Sequence, residues 1–209
     1  MPPRPMLRIA EIFASVQGEG LRLGEATIFV RLAGCNLRCS FCDTKSAWDG
    51  GRPATVARVL AAVRGLQKKR PASWVCLTGG EPMIQDIGPL VGRLRAEGWK
   101  VQIETNGTVR RPIPFDWITV SPKPPGYESD PRLRRRAREV KLIVTGELTL
   151  AAVRRLRTEF PVRVPIFLQP ESNAEWSRAK AMRLFGRATG EGRPNIRLGV
   201  QLHKIFGIP

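Results

Sequence analysis

An α/β protein with about six parallel strands, and fewer helices than strands, is the fold class this sequence predicts. Apolar runs closed by Gly, Pro or polar residues recur along its 209 residues: ATIFVRLAG (26–34), WVCLTGG (74–80), VQIETNG (101–107), WITVSPK (117–123), VKLIVTG (140–146), VPIFLQP (164–170) and NIRLGVQLH (195–203). Several stay apolar through the middle, as strands buried on both faces of a parallel sheet do. Stretches of helical spacing separate some of them, and parallel strands need such crossovers, right-handed by default.

The first helix is expected over 55–69, where Val56, Val59, Leu60, Val63 and Leu66 form one stripe and Thr55 can cap it. IGPLVGRLRAEG (87–98) is the second, closed by Gly98. LTLAAVRRLRTEF (148–160), with Thr149 as cap, and NAEWSRAKAMRLFGRATG (173–190) are the third and fourth. TVRRPIPFD (108–116) is short and carries two prolines, which argues against a helix. PPGYESDPRLRRRARE (124–139) opens with prolines and leaves room for a turn of helix at most. With no internal repeat and no low-complexity tail, residues 1–209 read as a single domain.

Composition narrows the function classes. A 42% hydrophobic content in 209 residues supports one full core. No apolar run approaches the roughly 20 residues of a membrane helix, and MPPRPMLRIAEIF has no apolar signal core, so a cytoplasmic protein without membrane contact is expected. The net charge of +17 suggests an anionic partner. Arginine, however, is scattered over every segment, and the dense run RLRRRAREVK (132–141) lacks interleaved aromatics. Direct nucleic-acid binding is therefore not expected.

The unusual residues gather where the runs end: GCNLRC, TGGEP, ETNG, SPK and QPES. In α/β barrels and open sheets that edge carries the site. Turn formation accounts for Gly, Pro and Asn there, but not for Cys, Thr, Glu, Lys and Gln.

Three of the four cysteines, Cys35, Cys39 and Cys42, fall in GCNLRCSFCDTK. In a reducing compartment such spacing means metal ligands or redox thiols rather than disulfides. Structural zinc wants four protein ligands. His203 is the only histidine and lies far along the chain, and Cys76 sits in an apolar run as a buried strand residue. A zinc site is awkward though open. An iron–sulfur cluster held by three thiolates keeps one iron free for a substrate or cofactor.

C-x3-C-x2-C after a first strand, followed about 40 residues on by GGEP (79–82), resembles the signature of the radical S-adenosylmethionine enzymes. EIFASVQGEG (11–20), FVRLAGCNLRCSFCDTK (29–45), CLTGGEPMIQ (76–85), IETNGT (103–108), VSPK (120–123), LQPES (168–172) and QLHKIFGIP (201–209) together resemble the 7-carboxy-7-deazaguanine synthase family. The resemblance spans almost the whole chain. It implies a partial, shortened (β/α)6-type radical SAM barrel with about six parallel strands and missing helices.

The roles below are what the resemblance implies. Cys35, Cys39 and Cys42 hold a [4Fe–4S] cluster whose open iron takes S-adenosyl-L-methionine. Phe41 lies beside the adenine or merely covers the cluster, and Cys42 and Asp43 adjoin the cofactor. Gly80 lets the backbone approach its methionine group. Ser121, Pro122 and Lys123, then Gln169, Pro170, Glu171 and Ser172, contact its ribose and adenine.

Val16, Gln17 and Gly18 meet the pterin edge of 6-carboxy-5,6,7,8-tetrahydropterin, with Gln17 able to donate and accept in one plane. Glu19 and Gly20 complete that loop, and Glu104 and Asn106 line the rim. Arg31 pairs with the substrate carboxylate, Thr78 touches substrate from the second strand, and the carboxylate of Pro209 reaches it from the end. Thr44 is the Mg²⁺ ligand.

The implied reaction is a radical ring contraction with loss of ammonia, a carbon–nitrogen lyase step in queuosine and 7-deazapurine biosynthesis. The implied partners are the pterin, a reductant such as flavodoxin or ferredoxin, and a second copy in a homodimer. A glycyl-radical activase would share the cysteine motif but needs neither VQGEG nor Thr44. A zinc-stabilised basic nucleic-acid module would be colourless and salt-sensitive.

Overall fold

A computed structural model describes residues 6–209. The chain runs β1 (Met6–Val16), β2 (Ala26–Leu32), β3 (Arg52–Thr55), α1 (Val56–Lys69), β4 (Trp74–Gly79), α2 (Gly88–Ala96), β5 (Lys100–Thr105) and β6 (Trp117–Val120). It continues α3 (Pro131–Arg136), β7 (Glu139–Val144), α4 (Leu150–Glu159), β8 (Ile166–Pro170), α5 (Glu175–Gly190), β9 (Ile196–Leu198) and α6 (Leu202–Phe206). Among the described residues all nine strands form one sheet in the order β3-β1-β2-β4-β5-β6-β7-β8-β9, open at both ends.

From β2 to β9 every neighbouring pair is parallel. The parallel part therefore holds seven strands where about six were expected. Two antiparallel strands, β1 and β3, extend it on one side. Neither belongs to the apolar runs. β1 alternates, with Leu7 and Ile9 inward, until its register shifts between Ile9 and Glu11. A bulge of this kind breaks the period on which recognition depends. β3 is four residues, RPAT, with Pro53 tolerated on an edge strand.

The helices follow their capping chemistry. Thr55 accepts from the Arg58 N–H at 3.3 Å and Thr149 from the Ala152 N–H at 3.1 Å. The connection from β5 to β6 has no helix. The stretch 124–139 holds one short helix, α3, whose Asp130 accepts from the N–H groups of Arg132 and Leu133. Ser172 and Asn173 take positive φ, so α5 begins at Glu175 rather than at 173. The run 195–203 is a strand only over Ile196–Leu198 and then turns into α6.

The core lies between the sheet and the helices. Val59, Leu60 and Val63 of α1, Leu90, Val91 and Leu94 of α2 and Val153 and Leu156 of α4 are buried against Leu77, Ile103, Leu142 and Leu168. Each such side chain contributes about 1.5–3 kcal/mol. The C-terminal ends of β2 and β4–β8 stand side by side, and the loops leaving them converge.

Candidate active site

The convergence is a cavity whose walls include Cys35, Cys39, Cys42, Gly80, Lys123 and Arg31. The three thiols are half-buried, and a backbone bond from Cys42 N–H to the Cys39 carbonyl at 3.0 Å folds their loop. The Thr44 N–H donates to Cys42 Sγ at 3.4 Å. Burial pushes the Cys39 thiol up against the pull of the Lys123 ammonium.

Among the described residues, no three His, Cys, Asp or Glu side chains converge on a single metal ion. Cys76 is fully buried in β4, its thiol held protonated by burial, and does not reach the cavity. Cys76 is thus no fourth ligand to the three thiols. Three thiols on one wall, with a backbone N–H on one sulfur and a lysine nearby, suit a larger group carrying a free corner.

The GGEP glycines answer to packing. A Cβ at Gly79, where φ is +135°, would lie 2.0 Å from the Leu32 carbonyl oxygen. At Gly80 it would lie 2.0 Å from the Gly34 carbonyl oxygen and 2.9 Å from the Cys35 Cβ. The end of β4 is thus pressed against the backbone that leads into Cys35. Glu81 is fully buried and accepts from Asn106 N–H (2.7 Å), the Thr105 hydroxyl (2.8 Å) and Met83 N–H (3.0 Å).

On the opposite wall Lys141, from the middle of β7, pairs with Glu19 and lies 3.7 Å from Glu104. Burial by itself would raise the Glu19 carboxyl; the Lys141 ammonium outweighs it and holds the group below its ordinary range. Thr78 donates to Glu104 at 3.1 Å. Gln17 spends its amide inside the protein. Its Nε2 donates to Glu104 (3.1 Å) and Gln102 (3.3 Å), and its Oε1 accepts from Glu19 N–H (3.2 Å).

Arg31 donates to Glu11 and, at 3.4 Å, to the Thr44 hydroxyl, which donates to Asp43 at 3.1 Å. Burial, then the like charge of Lys141, lowers the Lys123 ammonium to about 8, and its Nζ donates to Ser121.

The end of the chain closes the cavity. Leu202 N–H donates to the Gly18 carbonyl at 2.9 Å. Gln201 Nε2 donates to Glu19 at 2.9 Å and Asp43 at 3.3 Å, and Lys204 pairs with Asp43 at 3.1 Å. His203 packs directly on Gly18, and Pro209 accepts from the Ser15 hydroxyl at 2.6 Å.

Of the residues expected from sequence, Val16, Gln17, Gly18, Arg31, Thr78 and Pro209 line the cavity, as do Phe41, Asp43, Thr44, Ser121, Pro170, Glu171 and Ser172. Pro122 and Gln169 do not. Gln169 is fully buried under Gly199, with both amide atoms unpartnered. Gln17 lines the wall with its Nε2 donating twice and its Oε1 accepting once within the protein. Lys141, Gln201 and His203 were missed. Lys141 had a signal, a lone cation in the apolar run VKLIV, the same signal that singles out Arg31.

Known proteins resemble this chain in sequence and fold. The profile of the Radical SAM superfamily matches residues 29–180. A 7-carboxy-7-deazaguanine synthase of Rhodospirillum rubrum is 38% identical, covering 97% of this chain and 92% of its own. One from Aquifex aeolicus is 34% identical over 97% of this chain and 94% of its own. The crystal structure of QueE from Escherichia coli matches with a TM-score of 0.79 at 30% identity over 95% of each chain. Streptococcus suis SuiB bound to S-adenosylmethionine, at 16% identity and TM-score 0.59 over 79% of this chain and 48% of its own, shares the fold alone.

Proposed function

The chain belongs to the Radical SAM superfamily and, within it, to the 7-carboxy-7-deazaguanine synthases, and from that membership we propose how its own residues divide the work. Its reaction is that of the family, the ring contraction of 6-carboxy-5,6,7,8-tetrahydropterin to 7-carboxy-7-deazaguanine with loss of ammonia. Bound together, a [4Fe–4S] cluster and S-adenosylmethionine supply the carbon radical that starts it.

Cys35, Cys39 and Cys42 hold the cluster. Gly80, Ser121, Lys123 and Ser172, around the same mouth, hold S-adenosylmethionine. Arg31 and Thr44 meet at one corner. There the guanidinium takes the substrate carboxylate, and the hydroxyl offers Mg²⁺ a hard oxygen beside Asp43. Glu19, Lys141 and Glu104 sum to one negative charge on the far wall, which complements the N–H-rich edge of the pterin. Gln17 orients Glu104 for that contact, and its backbone neighbours Val16 and Gly18 supply the remaining polar groups.

The partners in this reading are a low-potential carrier of flavodoxin or ferredoxin type and a second copy of the chain, in the cytoplasm. Exposed Leu198 on edge strand β9, together with Ile205 and Phe206 of α6, supports the second copy.

The observation that carries the reading is the joint placement of three thiols, the GGEP backbone and the Arg31–Thr44 corner on one cavity. The test is anaerobic reconstitution and assay with dithionite, S-adenosylmethionine, Mg²⁺ and the carboxytetrahydropterin, read by mass spectrometry. The product is expected, and is expected to vanish in Cys39→Ala. A brown protein that cleaves S-adenosylmethionine and leaves the pterin intact would point to the activase. A colourless zinc protein would end the radical reading.

A further inference from the structure

The loop that carries the three cysteines is exposed on one side, with Asn36, Leu37, Arg38 and Ser40 facing solvent. One tie from it to the sheet edge is a closed ring of three side chains. Asn106 Nδ2 donates to Asn36 Oδ1 at 3.0 Å, Asn36 Nδ2 donates to the Thr108 hydroxyl at 2.9 Å, and that hydroxyl donates to Asn106 Oδ1 at 2.7 Å. Every member donates once and accepts once around the ring. Hydrogen bonds so arranged polarise one another.

The ring is anchored from below. Asn106 N–H donates to the buried Glu81 carboxylate, and Asn106 Oδ1 also accepts from Thr108 N–H at 2.9 Å. Glu81 follows Gly80, whose backbone is in turn pressed on Gly34 and Cys35. Asn36 is the residue after Cys35. A continuous polar path thus runs from the GGEP turn, through the rim beyond β5, to the neighbour of the first cysteine.

We propose that Asn36, Asn106 and Thr108 are positioning residues that clasp the cysteine loop to the rim beyond β5 and keep the three thiols at the spacing their metal group requires. The meaning of the clasp rests on the cluster reading above, but its existence does not, because the ring is made of protein alone.

The variants are Asn36→Ala, at an exposed position, and Thr108→Val, which keeps shape and removes the hydroxyl. Hydrogen exchange of the backbone amides in 34–42 is followed in the metal-free chain, with α1 and α4 as internal controls of folding. Iron release to a chelator is followed in the reconstituted protein. Each variant should speed both by about five- to tenfold. The double variant should be no faster than the faster single one, since either change opens the same ring. Unchanged exchange in both variants, additive effects, or a wild-type loop with no protection would overturn the clasp. A wild-type chain that takes up no iron, yet shows the exchange effect, would overturn the cluster reading and leave the clasp standing.

Discussion

Replacing Lys141 by Met keeps an unbranched side chain in place and removes one ammonium. That ammonium sits between two carboxylates, and the three side chains are 12%, 11% and 19% exposed for Lys141, Glu19 and Glu104. A pair of unit charges about 4 Å apart is worth about 4 kcal/mol at an effective dielectric constant near 20. Removing one partner of a buried pair costs about 3–5 kcal/mol, because the charge left behind is uncompensated. For a chain of this size each kcal/mol moves Tm by about 2–4 °C, so Lys141→Met should melt about 6–20 °C lower at pH 7.

The pH dependence carries the sharper test. In the native chain the Glu19 carboxyl is held below its ordinary value of 4.5, so the unfolded chain binds more protons as pH falls through that value. Stability from this group is present above about pH 4.5 and is lost on acidification. Without Lys141, burial, the largest influence on Glu19, is opposed only by the Gln201 amide and His203, and its carboxyl should rise above its ordinary value of 4.5. The folded chain then binds more protons than the unfolded one just above that value, and acidification stabilises. Calorimetry of the metal-free chain between pH 5 and 7 should show the variant gaining Tm relative to the wild type as pH falls, on top of the gain that the raised Glu81 and Glu139 carboxyls give both chains. A loss below about 1 kcal/mol, or a wild-type pH slope in the variant, would refute the electrostatic account of this wall.

Gly80→Ala should cost about 2–4 kcal/mol in thermal unfolding, because the added Cβ would lie 2.0 Å from the Gly34 carbonyl oxygen and push aside a carbonyl that accepts from Glu81 N–H at 2.8 Å. Gly65→Ala, in α1 with open space around its would-be Cβ, should instead add about 0.5–1 kcal/mol. Cys76→Ala should bind as much iron as the wild type after reconstitution, whereas Cys35→Ala should bind almost none, by colorimetric iron determination. Gln17→Met frees Glu104 and the 17–20 loop, and should lower kcat/KM by about tenfold, most of it in KM.

The parallel half of the fold was legible because burial on both faces writes long apolar runs, and β2, β4, β5, β7 and β8 fall on them. The antiparallel flank was not. β1 carries its signal as alternation, which a bulge interrupts, and β3 is too short to have a period. The site was legible where chemistry is dense, as in GCNLRCSFCDTK and TGGEP. It was illegible where a residue acts from inside a strand or from far along the chain. Lys141 reads as one cation in VKLIV, and only the fold brings it to Glu19. Gln17 reads as a recognition amide, and only the fold shows both ends of that amide already taken. Gln169 belongs to the QPES motif, yet its side chain is fully buried beside Gly199 and is not among the residues lining the cavity.

The bond from Gln201 to Asp43 joins positions 158 apart in the sequence. At roughly 5–20 residues per second of synthesis, those two positions leave the ribosome on the order of 10–30 s apart. The cysteine loop and the strands on which it is seated are complete before the segment that walls them in exists. During that interval the three thiols lack the wall that Gln201 and Lys204 supply, and are open to whatever delivers iron and sulfide, and also to oxidants. Assembly of this enzyme is therefore a matter of timing: the thiol loop is made early and enclosed late.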